Sequence, residues 1–205
     1  MIARSLPLLA MAIVVAIPAP AWTQVWTPST GVAVCGDSCS SYYHHVTADG
    51  AGGLYVAWTE YRDNATLGPN AYLQRITAAG QVAPGWPVAG LSLCSLPRTQ
   101  SPRAIASDGE GGVFVAWYED RSTSWDVYVQ RVRGDGTLSP GWPVNGAPAS
   151  RAQYSQFPKA IAPDGQGGAY VVWEDERFLP TQNFDIYAQH LTETGGVAAG
   201  WPADG

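Results

Sequence analysis

Residues 108–121 read Asp108-Gly109-Glu110-Gly111-Gly112-Val113-Phe114-Val115-Ala116-Trp117-Tyr118-Glu119-Asp120-Arg121. Asp108–Gly112 is a hairpin turn, because a tight reversal between strands needs positive φ, which glycine adopts without steric cost. Val113–Tyr118 follows as a strand. Successive residues of a strand face opposite ways, and this one is apolar on both sides, so both faces must be covered. Upstream, Ala104–Ser107 is a short strand. Downstream come a polar loop, a third strand over Val127–Val132, a turn at Asp135-Gly136 and a weak fourth strand beginning at Trp142–Val144. No helical period runs through the chain after its N-terminal segment.

The same string occurs twice more, as Asp49-Gly50-Ala51-Gly52-Gly53 leading to Trp58 and as Asp164-Gly165-Gln166-Gly167-Gly168 leading to Trp173. Each copy continues into Tyr-x-Gln-(Arg/His), at Tyr72–Arg75, Tyr128–Arg131 and Tyr187–His190, and closes on Gly-Trp-Pro at Trp86, Trp142 and Trp201. Asp108 lies 59 residues after Asp49, and Asp164 lies 56 after Asp108; the difference falls in the loop after each strand tryptophan. Trp26 stands in for an earlier Gly-Trp-Pro. This frame gives a strand and linker over 22–48 and repeats over 49–107, 108–163 and 164–205, the last truncated.

A β-helix coil repeats over far fewer residues, and an immunoglobulin-like sandwich needs about 100. Four short antiparallel strands covered on both faces by neighbouring copies make a propeller blade. The expected fold is all-β, a β-propeller-like array of about three four-stranded antiparallel blades. Closed propellers have about 4–8 blades, so the array is expected to be incomplete, the N-terminal fragment of a longer protein. Its end blades should expose apolar faces, and the chain should self-associate, with two copies forming a six-bladed ring.

Composition agrees with a turn-rich packed fold: 23 Gly and 16 Pro in 205 residues, with nine Trp, leave ample apolar surface to bury and exclude disorder. The net charge is −6, and Lys159 is the only lysine among 11 basic residues, which argues against nucleic-acid binding. At the N-terminus, Arg4, the apolar run Leu6–Ile17 and Ala19-Pro20-Ala21 form a secretory signal over residues 1–21, cleaved before Trp22. A secreted protein, periplasmic, cell-surface or extracellular, with no membrane span after cleavage is therefore expected.

The string D-G-x-G-G-x-x-V-A-W-x-E-D-R, then D-x-Y-x-Q-R, then G-W-P-V-N-G, resembles the repeats of secreted bacterial β-propeller proteins of largely uncharacterised type. It is similar, more distantly, to sialidase-type propellers. Ser107-Asp108-Gly109-Glu110-Gly111-Gly112 departs from their Asp-box, so their chemistry does not carry over.

The acid and arginine after each strand tryptophan recur as Glu60/Arg62, Glu119/Arg121 and Asp175/Arg177. Residues that serve every blade follow the repeat, whereas a single active site breaks it. These are read as structural pairs, with Arg62, Arg121 and Arg177 converging on an anionic ligand as the alternative. No catalytic residue is assigned. The Asp-Gly-x-Gly-Gly loops lack the following helix of a phosphate loop and the alternating acids of a calcium loop. His44 and His45 point to opposite faces if extended, so no metal site is expected, and no cofactor. His190, in the place of an arginine, marks a tolerated rim position. The Gly-Trp-Pro tryptophans anchor the outer strand. Of three cysteines, Cys35 and Cys39 can close a small disulfide loop, and Cys94 falls in the frame of Cys35. Asn64-Ala65-Thr66 matches a glycosylation acceptor incidentally.

The function expected is a non-catalytic exported module for extracellular binding or structural interaction, its partner a carbohydrate or a cell-surface protein. The alternative is the N-terminal fragment of a carbohydrate-active propeller enzyme.

Overall fold

The computed structural model describes residues 31–36, 39–62, 65–66, 68–121, 123–178 and 183–205. The signal segment, Trp26 and Asn64 lie outside the described residues. Those described form eleven strands and no helix.

The first sheet holds β1 (Ser41–Ala48), β2 (Leu54–Glu60), β3 (Asn70–Ile76) and β4 (Leu91–Ser92) in sequential order. The second repeats the order with β5 (Gln100–Ser107), β6 (Val113–Glu119), β7 (Asp126–Val132) and β8 (Ala147–Ser150). The third contains β9 (Gln156–Pro163), β10 (Ala169–Asp175) and β11 (Asp185–Leu191). All pairs are antiparallel, and equivalent registers recur: Trp58 opposite Tyr72, Trp117 opposite Tyr128, Trp173 opposite Tyr187. The fold is an all-β, propeller-like array of three unclosed blades. Their first strands, β1, β5 and β9, run beside one another, so the sheets fan out from a common line.

Four details differ from the sequence reading. The expected third blade has three strands among the described residues, not four. The fourth strand of the second sheet starts at Ala147, not at Trp142–Val144. There the chain turns instead, with Trp142 N–H donating to Ser139 and Gly146 N–H to Pro143, and proline contributes no donor to a ladder. The strand expected over Ala104–Ser107 begins at Gln100, whose buried amide is satisfied by Leu96 carbonyl. Finally, the repeat frame starting at each Asp-Gly cuts through the hairpin that joins the first two strands of one sheet, so each structural unit begins one strand earlier.

The core lies between sheets rather than within any one of them. Tyr55, Ala57, Ala71, Leu73 and Trp86 of the first sheet's trailing side pack on Val113, Val115, Trp117, Tyr128 and Val132 of the second. The opposite face of the second sheet, with Phe114, Ala116, Val127, Val129 and Trp142, packs on Ile161, Ala169, Val171, Trp173 and Leu191 of the third. The run Val113–Trp117 is fully buried, as a two-sided apolar strand requires. Burying one such side chain stabilises by about 1.5–3 kcal/mol.

Candidate functional site

The repeated polar residues close each blade on itself. Glu119 accepts Trp117 Nε1–H at 2.9 Å and the Arg121 Nε and Nη2 donors at 2.8 Å each, and Arg121 also donates to the Asn145 carbonyl and lies over the Tyr128 ring. In the first blade, Glu60 accepts from Trp58 (3.1 Å) and Arg62 (2.8 Å), and Arg62 reaches the Ala89 carbonyl (2.8 Å). In the third, Asp175 accepts from Trp173 (2.8 Å) and Arg177 (2.7 Å), and Arg177 reaches the Asp204 carbonyl (2.6 Å). The acids are buried, each arginine is paired with the acid of its own blade, and Arg121 also touches Cys94 of the first blade. The structural-pair reading gains this geometry as its support, whereas convergence of the three arginines on one ligand does not.

A second clasp joins one blade to the next. Asp49 Oδ1 accepts the N–H groups of Ala51 and Gly53 (2.8 Å each), holding the hairpin, while Oδ2 accepts from Arg75. Arg75 Nη1 then crosses to the Gly134 carbonyl of the second blade (2.9 Å). Asp108 and Arg131 repeat this, Arg131 reaching the Gly167 carbonyl of the third blade (3.1 Å). His190 Nε2 lies 2.7 Å from Asp164 Oδ2, in the place of those arginines. It thus makes the within-blade bond that the arginines make elsewhere, and is more than a tolerated rim substitution. The Gly-Trp-Pro tryptophans are corrected too. Trp86 Nε1–H donates to the Gly134 carbonyl (3.0 Å) and Trp142 Nε1–H to the Glu193 carbonyl (2.7 Å), so each fastens the following blade rather than its own outer strand.

These donors set a pH limit. Burial works to raise the Asp49, Glu60 and Asp164 carboxyl pKa values, but the hydrogen bonds they accept outweigh it and hold all three below the usual carboxylate range. A depressed folded pKa stabilises fully above the unfolded value, about 4, and that stability is lost as pH falls through the folded value. Thermal melting across a pH series should give a flat transition temperature from neutrality to about pH 5 and a fall below about pH 4. A transition temperature rising on acidification through that range would refute the carboxylate clasps.

Cys35 and Cys39 are joined, their sulfurs 2.09 Å apart, and Glu60 lies beside them with ligand-type atoms within 4.8 Å. The sulfurs are taken up by each other, and Glu60 accepts from Trp58, Arg62 and the Ser40 N–H, so the trio supplies no open metal-binding set. Cys94 is a buried thiol against Glu119, pushed up to about 11 by burial first and then by that carboxylate.

A further recurring feature, a bulge in the first strand of each sheet, lies along the line where the blades meet. In β5, Pro102 pairs with Trp117 and Ala104 with Ala116, leaving Arg103 in a bulge; in β9, Lys159 is bulged in the same way between Pro158 and Ala160. In β1, Tyr43 and His44 share the place opposite Trp58, with Tyr43 at φ 55°. His44 turns to Ser41 Oγ (3.1 Å) while His45 lines a cleft, so the two histidines do point apart. The cleft, of about 270 Å³, is lined by His45, Arg103 and Lys159 with Val46, Ile105 and Ile161, one charged or polar group from each blade and no acid. Arg103 sits over the Tyr43 ring (4.2 Å) and the Tyr118 ring (5.0 Å) and donates to Tyr118 Oη (3.0 Å). Tyr118 in turn packs edge-on against Trp125 and Phe157. Lys159 pairs at the rim with Glu174 (2.7 Å), both partly exposed. Burial first, then Arg103 and His44, push the His45 pKa down, leaving a neutral imidazole at pH 7.

Sequence reasoning passed over Arg103 and Lys159 because their shared position is defined by a bulge. The signal that could have found them is the basic residue after proline in Ser101-Pro102-Arg103-Ala104-Ile105 and Phe157-Pro158-Lys159-Ala160-Ile161.

No family model matches the chain, and no curated protein matches it. Among solved structures it is similar to an alpha-L-arabinofuranosidase from Lactobacillus brevis, at 13% identity and a TM-score of 0.42, over 80% of this chain and 55% of that one. The chain therefore spans about half the length of that protein.

Proposed function

We infer that this chain is an exported, non-catalytic binding module whose ligand, an acidic saccharide, is taken at the cleft formed by the bulges of β5 and β9. The observation that carries this reading is the division of labour among its polar residues. The buried acids that recur in every blade are each engaged by indole, guanidinium, imidazole or backbone N–H donors, which leaves none of them free to act as an acid or nucleophile. Arg103 and Lys159, the cationic groups at the bulges of β5 and β9, lie outside those buried clasps and face a shared cleft. Arginine suits a carboxylate because its planar fork can donate two parallel hydrogen bonds, and the tyrosine rings under Arg103 hold its guanidinium in place.

Screening the mature chain on an array of neutral and uronic-acid-containing glycans tests the proposal. Acidic glycans should bind selectively, and Arg103→Ala should weaken binding at least tenfold, the scale of a lost charge-assisted hydrogen bond of about 1.5–3 kcal/mol. Equal binding of neutral glycans, or no effect of the substitution, would reject the site. Turnover of chromogenic glycosides that one carboxylate substitution abolishes would place the chain with carbohydrate-active enzymes instead.

A further inference from the structure

We propose that the outer face of the third sheet is a docking surface for the first sheet of a second copy of this chain, reproducing between molecules the contact made twice within one. The evidence is a comparison of three equivalent faces. Tyr55 and Phe114 are fully buried, whereas their equivalent Tyr170 is 42% exposed; Ala71 and Val127 are fully buried, whereas Ile186 is 71% exposed. Trp86 and Trp142 are each 5% exposed under the following blade, and Trp201 is 37% exposed. The third sheet thus keeps the aromatic and aliphatic positions of a blade-binding face, with His190 in place of the cross-blade arginine, and has no blade on it among the described residues.

The first sheet offers the matching face. Val113, Val115, Ala169 and Val171, which receive the preceding blade, are fully buried, but their equivalents Leu54 and Val56 are only partly covered. Val46 is 64% exposed where its equivalent Ile161 is 9%. The polar groups correspond as well. Within the chain, Tyr55 Oη–H donates to the Gly111 carbonyl (2.6 Å), and the blade tryptophans donate to the carbonyls of Gly134 and Glu193. In the same frame, the first sheet presents the carbonyls of Gly52 and Ala78. Tyr170 Oη–H would meet Gly52 and Trp201 Nε1–H would meet Ala78 of the second copy. The contact joins two different faces, so it is head-to-tail, and two copies related by it can close into a ring of six sheets.

The experiment is light scattering on the mature chain after size exclusion, over a concentration series. The expected result is an assembly of two copies, with Ile186→Asp weakening association at least tenfold. Because Ile186 is exposed, the substitution should leave the monomer's own melting unchanged, which separates lost docking from misfolding. A further readout is trapping: Ala78→Cys mixed with Trp201→Cys should give an intermolecular disulfide between the two variants. A monomer at all concentrations would overturn the proposal, as would association insensitive to Ile186→Asp. A disulfide formed between two Trp201→Cys chains in preference to the mixed pair would also overturn it, because that contact is face-to-face.

Discussion

Replacing Glu119 by alanine is expected to lower the unfolding free energy by about 3–5 kcal/mol, the cost of breaking a buried ion pair by removing one partner. Glu119 has no exposed surface, and it accepts from the Trp117 indole and from two nitrogens of Arg121. Its loss leaves the Trp117 N–H without an acceptor in the centre of the core and Arg121 half-buried beside it. Because Trp117 packs against the first sheet, the damage spreads to the interface between blades. For a domain of this size, about 2–4 °C of transition temperature is lost per kcal/mol, so a fall on the order of 10 °C should be recorded by calorimetry. A fall of only a degree or two would mean that the recurring acid is not structural.

Gly146→Ala should cost a comparable amount for a reason that has nothing to do with charge. Gly146 sits at φ 88°, a backbone conformation that costs an L-residue roughly 1–2 kcal/mol. An added Cβ would also lie 2.3 Å from Trp117 Cη2, on a ring buried on all sides. Overpacking adds about 1–3 kcal/mol, giving a total of about 2–5 kcal/mol. Gly90 and Gly205 hold the same place against Trp58 and Trp173. Chemical denaturation of the variant measures the effect, and a midpoint equal to the parent's would show that the tryptophan is free to move aside.

Much of this fold was legible because the repeat states each element three times. The hairpin at Asp108–Gly112 and the strands beginning near Val113 and Val127 fall where glycine spacing and apolar runs place them. The Glu119/Arg121 pair was legible for the same reason. Contacts between blades were not. Nothing in the sequence indicates that Trp86 reaches forward to Gly134, or that His190 takes over the hydrogen bond made elsewhere by arginine, because both partners are defined only once the sheets have stacked. The cleft was hidden for a related reason. A bulge shifts one residue out of the alternating pattern, so the direction in which Arg103 and Lys159 face is undefined until their neighbours' partners on β6 and β10 are known.

The repeated arginines build the blades, and we propose that the bulged cationic groups bind the ligand. Calorimetric melting of Arg121→Ala and Arg103→Ala, each with and without an array-selected acidic saccharide, separates the two roles. Arg121→Ala should lose about 1–3 kcal/mol of stability yet keep the ligand-induced rise in transition temperature. Arg103→Ala should lose at most about 1 kcal/mol, the value of its ring contacts, and show no ligand-induced rise. An Arg121→Ala variant with the parent's melting temperature and no response to ligand would contradict this division of roles.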